Sequence, residues 1–143
     1  MKKYINYIGL LTLIIFFTNC DDKSSTQSTV HPLVGVWEWT STTMTDGVTT
    51  ITENPTTGNT ETVIMNEDGT SSFTFTSNGG TSTGSGTWST NSNKLTWIVT
   101  YPGESSSITM ILDYSVSGNV FIGSLVSFIE GTEVTSTYTY TKS

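Results

Sequence analysis

The sequence predicts an all-β protein: an antiparallel up-and-down meander of about nine strands that closes into a barrel of eight or nine. Three observations carry this. Apolar and polar residues alternate with period two through segments rich in Thr, Val, Ile and aromatics, the pattern of half-buried strands. No stretch keeps apolar residues at i, i+3 and i+4, and alanine is absent, which argues against helices. Turn-forming residues punctuate the chain at short, regular intervals.

In order, the predicted strands are Val34 to Ser41, Val48 to Glu53, Glu61 to Asn66, Ser71 to Ser77, Thr81 to Thr90, Lys94 to Tyr101, Ser106 to Val116, Val120 to Glu130 and Thr132 to Thr141. Between them lie Asp46-Gly47, Asp68-Gly69, Asn78-Gly79-Gly80, Asn91-Ser92-Asn93, Pro102-Gly103, Ser117-Gly118-Asn119 and Glu130-Gly131. These residues tolerate left-handed dihedrals or preset a tight turn, so most connections are of hairpin length. Consecutive hairpins make sequence neighbours into spatial neighbours. An open meander leaves two edges available for aggregation, and closure removes both.

The alternation also predicts which face is buried. Trp37 and Trp39 oppose Glu38 and Thr40, and Phe73 and Phe75 oppose Thr74 and Thr76. Further stripes run through Leu95, Trp97, Val99 and Tyr101, through Ile108, Met110, Leu112, Tyr114 and Val116, and through Val134, Tyr138 and Tyr140. The complementary face is mostly Thr and Ser, suited to water.

Before the strands comes a different kind of segment. Lys2 and Lys3, an apolar run from Ile8 to Phe17 and a polar stretch ending in Cys20 form the three regions of an export signal. The run is too short to span a bilayer, which takes about 20 apolar residues. Phe17-Thr18-Asn19-Cys20 resembles the lipobox of bacterial lipoprotein signal peptides, with Phe17 where leucine is usual and Asn19 where Gly or Ala is usual. The resemblance implies that residues 1–19 are removed and that Cys20 receives acyl chains, palmitate among them, on its sulfur and amine. Two chains suffice for stable anchoring without spanning. The expected address is the cell envelope, with the protein lipid-anchored to the outer membrane on its periplasmic or surface face. Residues 20–32 then form a tether: Asp21 to Val30 lacks large apolar residues, and His31-Pro32 closes it because the residue before proline is pushed towards extended conformations. Residues 33–143 form one domain.

Charge narrows the partners. Without residues 1–19, three lysines (Lys23, Lys94 and Lys142) face twelve carboxylates, and there is no arginine. A nucleic-acid binder neutralises phosphates with Lys and Arg, so that class is excluded, and anionic headgroups are disfavoured for the same reason.

Leu33-Val34-Gly35-Val36-Trp37, the hairpin Asn66-Glu67-Asp68-Gly69-Thr70 leading into Phe73-Thr74-Phe75, and Gly86-Thr87-Trp88-Ser89 followed by Leu95-Thr96-Trp97 together resemble the lipocalin-like domains of bacterial lipoproteins. The likeness spans most of residues 33–141. It implies that Trp37 closes one barrel end against a basic residue near the last strand, for which Lys142 is the candidate in a chain without arginine. It also implies a small apolar or amphipathic ligand in the interior. The interior or ligand-lining candidates are Trp37, Phe73, Phe75, Trp88, Trp97, Tyr101, Met110 and Tyr114. For Phe73, Phe75, Trp88, Trp97, Tyr101 and Tyr114 core filling is the more direct reading, because barrels of about eight strands can fill themselves with side chains, and Met110 reads equally as a gap filler.

Catalytic arrangements are sparse, and the expectation is a protein that is not an enzyme, with no cofactor and no metal. His31 is the only histidine and Cys20 the only cysteine, which leaves little for Ser-His-Asp, thiol or zinc chemistry. Glu38, Glu61, Glu67 and Asp113 are paired-carboxylate candidates by composition, but nothing in the sequence places two across a cleft. Glu67-Asp68-Gly69 lacks the ligand spacing of a calcium loop and reads as a turn. Two functions stay open: a carrier or sensor of a small hydrophobic molecule, and a surface module that binds a protein or glycan around a solid core. The interior volume separates them.

Overall fold

The computed structural model of the chain describes residues 30–143 apart from residue 102. The predicted signal peptide, Cys20 and most of the tether lie outside the described residues. Nine strands follow one another: β1 (Gly35–Thr45), β2 (Thr50–Glu53), β3 (Asn59–Met65), β4 (Thr70–Ser77), β5 (Gly80–Asn91), β6 (Lys94–Thr100), β7 (Ser107–Ser117), β8 (Val120–Ile129) and β9 (Thr132–Lys142). All pairings are antiparallel, and the described residues contain no helix. The sheet runs β2-β1-β3-β4-β5-β6-β7-β8-β9 and returns through a β1–β9 ladder. Eight strands therefore close a barrel, and the short β2 is an extra strand on the outer half of β1. The predicted strands all form, with ends shifted by a few residues.

The turns behave as their chemistry dictates. At the β3–β4 turn the Asp68 carboxylate accepts hydrogen bonds from the Thr70 amide at 2.9 Å and the Thr70 hydroxyl at 2.6 Å, while Gly69 takes φ 81°. These bonds hold the Asp68 carboxyl below its ordinary value. Glu67-Asp68-Gly69 is thus a turn, as its sequence indicates.

One irregularity decides what β1 presents to the interior. The β1–β9 register shifts between Trp39 and Ser41, a bulge at Thr40, whose hydroxyl bonds the Thr139 carbonyl at 3.0 Å. A bulge adds one residue and exchanges the two faces downstream. Trp37 and Trp39 face inward before it, and Thr42, paired with Tyr138, faces inward after it. The Trp39 indole N–H then donates to the buried Thr42 hydroxyl at 2.9 Å.

The chain enters at one end of the barrel and plugs it. Leu33 and Trp37 are 0% exposed. The Trp37 indole N–H donates to the Leu33 carbonyl at 2.7 Å. The Lys142 ammonium donates to the Val34 carbonyl at 2.8 Å and lies 5.4 Å above the Trp37 ring. Lys142 therefore takes the place of the basic residue near the last strand, through its charge rather than a flat stacking surface. His31 belongs to this plug rather than to the expected tether. Its Nδ1 accepts the Leu33 amide at 3.2 Å, its Nε2 lies 3.2 Å from the Thr90 hydroxyl, and its ring sits 5.2 Å from Trp88. These contacts tie His31 to the barrel, two residues before the domain start expected at Leu33.

The opposite end is less tightly closed. The β7–β8 ladder joins Asp113–Ser117 to Val120–Ser124 and no more, although both strands continue towards the far end. The β1–β3 ladder likewise covers Gly35–Glu38 and Thr62–Met65 alone. Beyond these pairs, β3 to β7 form one lobe and β8, β9, β1 and β2 the other. The lobes are bonded together at the plugged end and unpaired at the mouth.

Trp37→Phe removes the indole donor from a fully buried carbonyl, and Phe does not refill the volume. We expect a loss of about 1–3 kcal/mol of stability, read as a lower urea midpoint, whereas Lys142→Arg, which keeps both charge and reach, should stay close to the parent. Equal midpoints for Trp37→Phe and the parent would contradict the plug.

Candidate functional site

The site is built on a wall that has been thinned. The inward positions of β5 include Gly84 and Gly86, and each lets a neighbouring strand approach closely. Gly84 pairs with Phe73, whose ring occupies the space that a Gly84 Cβ would need. A Cβ on Gly86 would collide with the Ile98 backbone carbonyl. Glycine weakens a strand, but it permits close approach, and an aromatic ring across it restores the lost packing. On the next strand the Trp97 indole N–H donates to the Ser71 hydroxyl at 2.9 Å. That bond satisfies a buried polar pair and fixes the ring.

Above this layer lies a cavity of about 130 Å³. Its apolar part is formed by Trp97, Val99, Met110, Leu112 and Phe121, with Phe73 at the side. Its polar part is formed by Glu61, Tyr101, Tyr138 and Tyr140, contributed by β3, by β9 and by the end of β6. Tyr140 stacks on Phe121 with ring centres 5.5 Å apart, and Tyr101 meets Phe73 edge-on at 5.2 Å. Both rings are thereby held in place.

Glu61 dominates the electrostatics. It is partly buried, and its one hydrogen-bond partner among the described residues is the Tyr140 hydroxyl, which donates to Oε1 at 3.2 Å. Burial raises the carboxyl above its ordinary value of 4.5, and the Tyr140 bond opposes part of that rise. The Tyr140 hydroxyl is pushed well above 10 by burial first and by the adjacent Glu61 charge second. Tyr101 is raised by burial and then by Glu61. No residue lining the cavity is cationic. The described lysines are engaged elsewhere, Lys94 with Asp113 at 2.8 Å and Lys142 in the plug.

Of the residues singled out in the sequence, Phe73, Trp97, Tyr101 and Met110 line the cavity. The other four fall outside it. Trp37 belongs to the plug. Trp88 packs near the same end, its indole N–H shared between the Asn66 and Thr70 carbonyls at 3.1 Å each. Tyr114 packs against the core without reaching the cavity. Phe75 has the inward parity expected of it, but it lies towards the mouth, level with the end of the β1–β3 ladder, and is 38% exposed. Cys20 lies outside the described residues. Conversely, Glu61, Tyr138 and Tyr140 line the cavity, although the sequence marks Glu61 only as a paired-carboxylate candidate and the two tyrosines only as part of a buried stripe. The signal for Glu61 is its parity: it shares a strand face with Val63 and Met65, both buried. Its carboxylate partner across a cleft is missing, since Glu38 is an exposed residue and Asp113 is paired with Lys94. Among the described residues, no group of three or more His, Cys, Asp or Glu converges on a metal-sized site.

Two outcomes test this geometry. Gly86→Ala should cost about 1–3 kcal/mol because the added methyl meets backbone, whereas Gly58→Ala, with open space around it, should change stability by less than about 0.5 kcal/mol; similar midpoints for the two variants would contradict the thinned wall. For Glu61 the sign follows from its raised value. The folded state favours the protonated carboxyl, so its contribution is complete below the ordinary value of 4.5 and is lost as pH rises through the raised one. Glu61→Gln should therefore unfold at a higher urea concentration than the parent near neutral pH, with the gap closing in acid. Asp46 and Asp68, both lowered, lose stability in acid, but equally in both proteins. A variant less stable than the parent at neutral pH would show that ionised Glu61 is compensated. No protein-family model matches the chain, and no curated protein matches it.

Proposed function

We propose that this chain is a lipid-anchored envelope protein whose lipocalin-like barrel binds a small hydrophobic or amphipathic molecule. The observation that carries the binding reading is the cavity, with apolar walls on one side and a carboxyl and three tyrosine hydroxyls on the other. Ligand sites are commonly apolar concavities with a few convergent polar groups. The volume limits the ligand. At about 130 Å³ it falls below the roughly 300–1,000 Å³ of drug-sized sites and close to the ~150 Å³ that admits a benzene ring. The ligand is a single ring or short chain, or the end of a longer molecule.

The anchoring half of the reading is supported by Lys2-Lys3, the apolar run and Cys20. The first described residues, Val30 and His31, lie at the plugged end of the barrel. The binding reading is supported by a cup whose polar groups, one carboxyl and three tyrosine hydroxyls, face an apolar floor.

A second reading, a surface module for another protein or a glycan, draws on one observation. Ile98, Ile111, Ile122, Val126 and Phe128 are exposed on β6, β7 and β8, and Phe128 is 70% exposed. Of these, Ile111, Val126 and Phe128 lie beyond the last β7–β8 pair, Asp113–Ser124.

Native mass spectrometry of the protein purified from its own source should show a bound species of low mass, absent after Val99→Phe, whose ring takes up space in the cup. A consistently empty barrel that retains a co-purifying protein would favour the surface module. Cys20→Ser should move the protein out of the membrane fraction or leave its precursor uncut; an unchanged acylated, membrane-bound product would refute the anchor.

A further inference from the structure

The Glu61 carboxyl is more than the small-ligand reading needs. Any polar side chain would orient an amphipathic guest, and a neutral one would avoid the cost of placing a carboxylate among rings. An ionised carboxylate accepts about four hydrogen bonds, yet among the described residues Glu61 receives one, from Tyr140. Among the described residues no cation lines the cavity, and the chain has no arginine that could swing in. Three tyrosine rings stand in the same cup, and the electron-rich faces of such rings attract cations. The sequence carries twelve carboxylates against five lysines, a balance that draws cations towards the protein and repels anions.

We propose that the cup is a receptor for the ammonium group of a small organic monoamine, with the Glu61 carboxylate as its counter-ion, the tyrosines around it and the apolar floor holding the body. This rests on the small-ligand reading and narrows it to one chemical class. The ammonium supplies the donors that Glu61 lacks. Trp97, Leu112 and Phe121 take up the hydrocarbon part. The volume restricts that part to about one ring or a short chain. Fatty acids and other carboxylates are excluded, because their charge would lie against Glu61.

The test uses the full chain and three probes of matched size: benzylamine, benzyl alcohol and benzoate. Calorimetric titrations compare the parent with Glu61→Gln and with Glu38→Gln, a control carboxylate exposed on β1. Benzylamine should bind at least tenfold more tightly than benzyl alcohol, and benzoate not detectably. Glu61→Gln should abolish the amine preference and leave alcohol binding unchanged, while Glu38→Gln should change neither. Equal binding of amine and alcohol, indifferent to Glu61→Gln, would overturn the amine assignment and leave the small-ligand reading standing. Preference for benzoate would also overturn it. Binding of none of the three would overturn both.

Discussion

The ladder between β1 and β9 turns a meander into a container. Without it, the inward stripes of the strands would form one face of an open sheet, and Trp37, Phe121 and Tyr140 would have no common interior. With it, β9 carries Tyr138 and Tyr140 across from β3 and β4, so that residues far apart in sequence meet around Glu61. The bulge at Thr40 adjusts this closure. It brings Thr42 inward beneath the Trp39 indole and keeps both halves of β1 in register with β9. The plug depends on the same ladder, because Lys142 reaches Val34 and Trp37 only when β9 runs beside β1.

The molecule balances filling against emptiness. At the plugged end large side chains pack to completion, and all four tryptophan N–H groups have acceptors. Towards the mouth the ladders between the lobes stop, β5 offers Gly84 and Gly86, and the remaining rings leave a modest cavity. A barrel of this size has enough aromatic residues to fill itself. Gly84 contributes to the space that persists, because it lets the Phe73 ring lie back against the β5 wall. A polar group sits where the dry packing ends.

Much of the fold was legible in the sequence. Period-two alternation and Gly, Asn and Asp at the turns specify nine strands and an antiparallel meander, since both are local properties of the chain. Strand closure followed from the cost of exposed edges. The site was legible in part. Phe73, Trp97, Tyr101 and Met110 could be read as inward by parity, but whether a ring fills the lumen or bounds a void depends on its rotamer and its neighbours across the barrel, which parity does not contain. Trp88 shows the limit, being inward by parity yet committed to the plug with His31. His31 itself looked like tether because its partners, Thr90 and Trp88, lie some sixty residues away in sequence. Glu61 carried the parity signal of Val63 and Met65, but charged residues at strand ends are usually solvated, and only the fold brings Tyr140 to it.

The site turns on a partly buried carboxyl with no cation of the described residues beside it. The most direct measurement is the titration of the Glu61 side-chain carboxyl by carbon-13 NMR in the ligand-free protein. The midpoint should lie above the ordinary value of 4.5, since burial disfavours the charge and one tyrosine bond does not offset it. A midpoint at or below that value would place Glu61 in water or beside a cation, and would contradict this site.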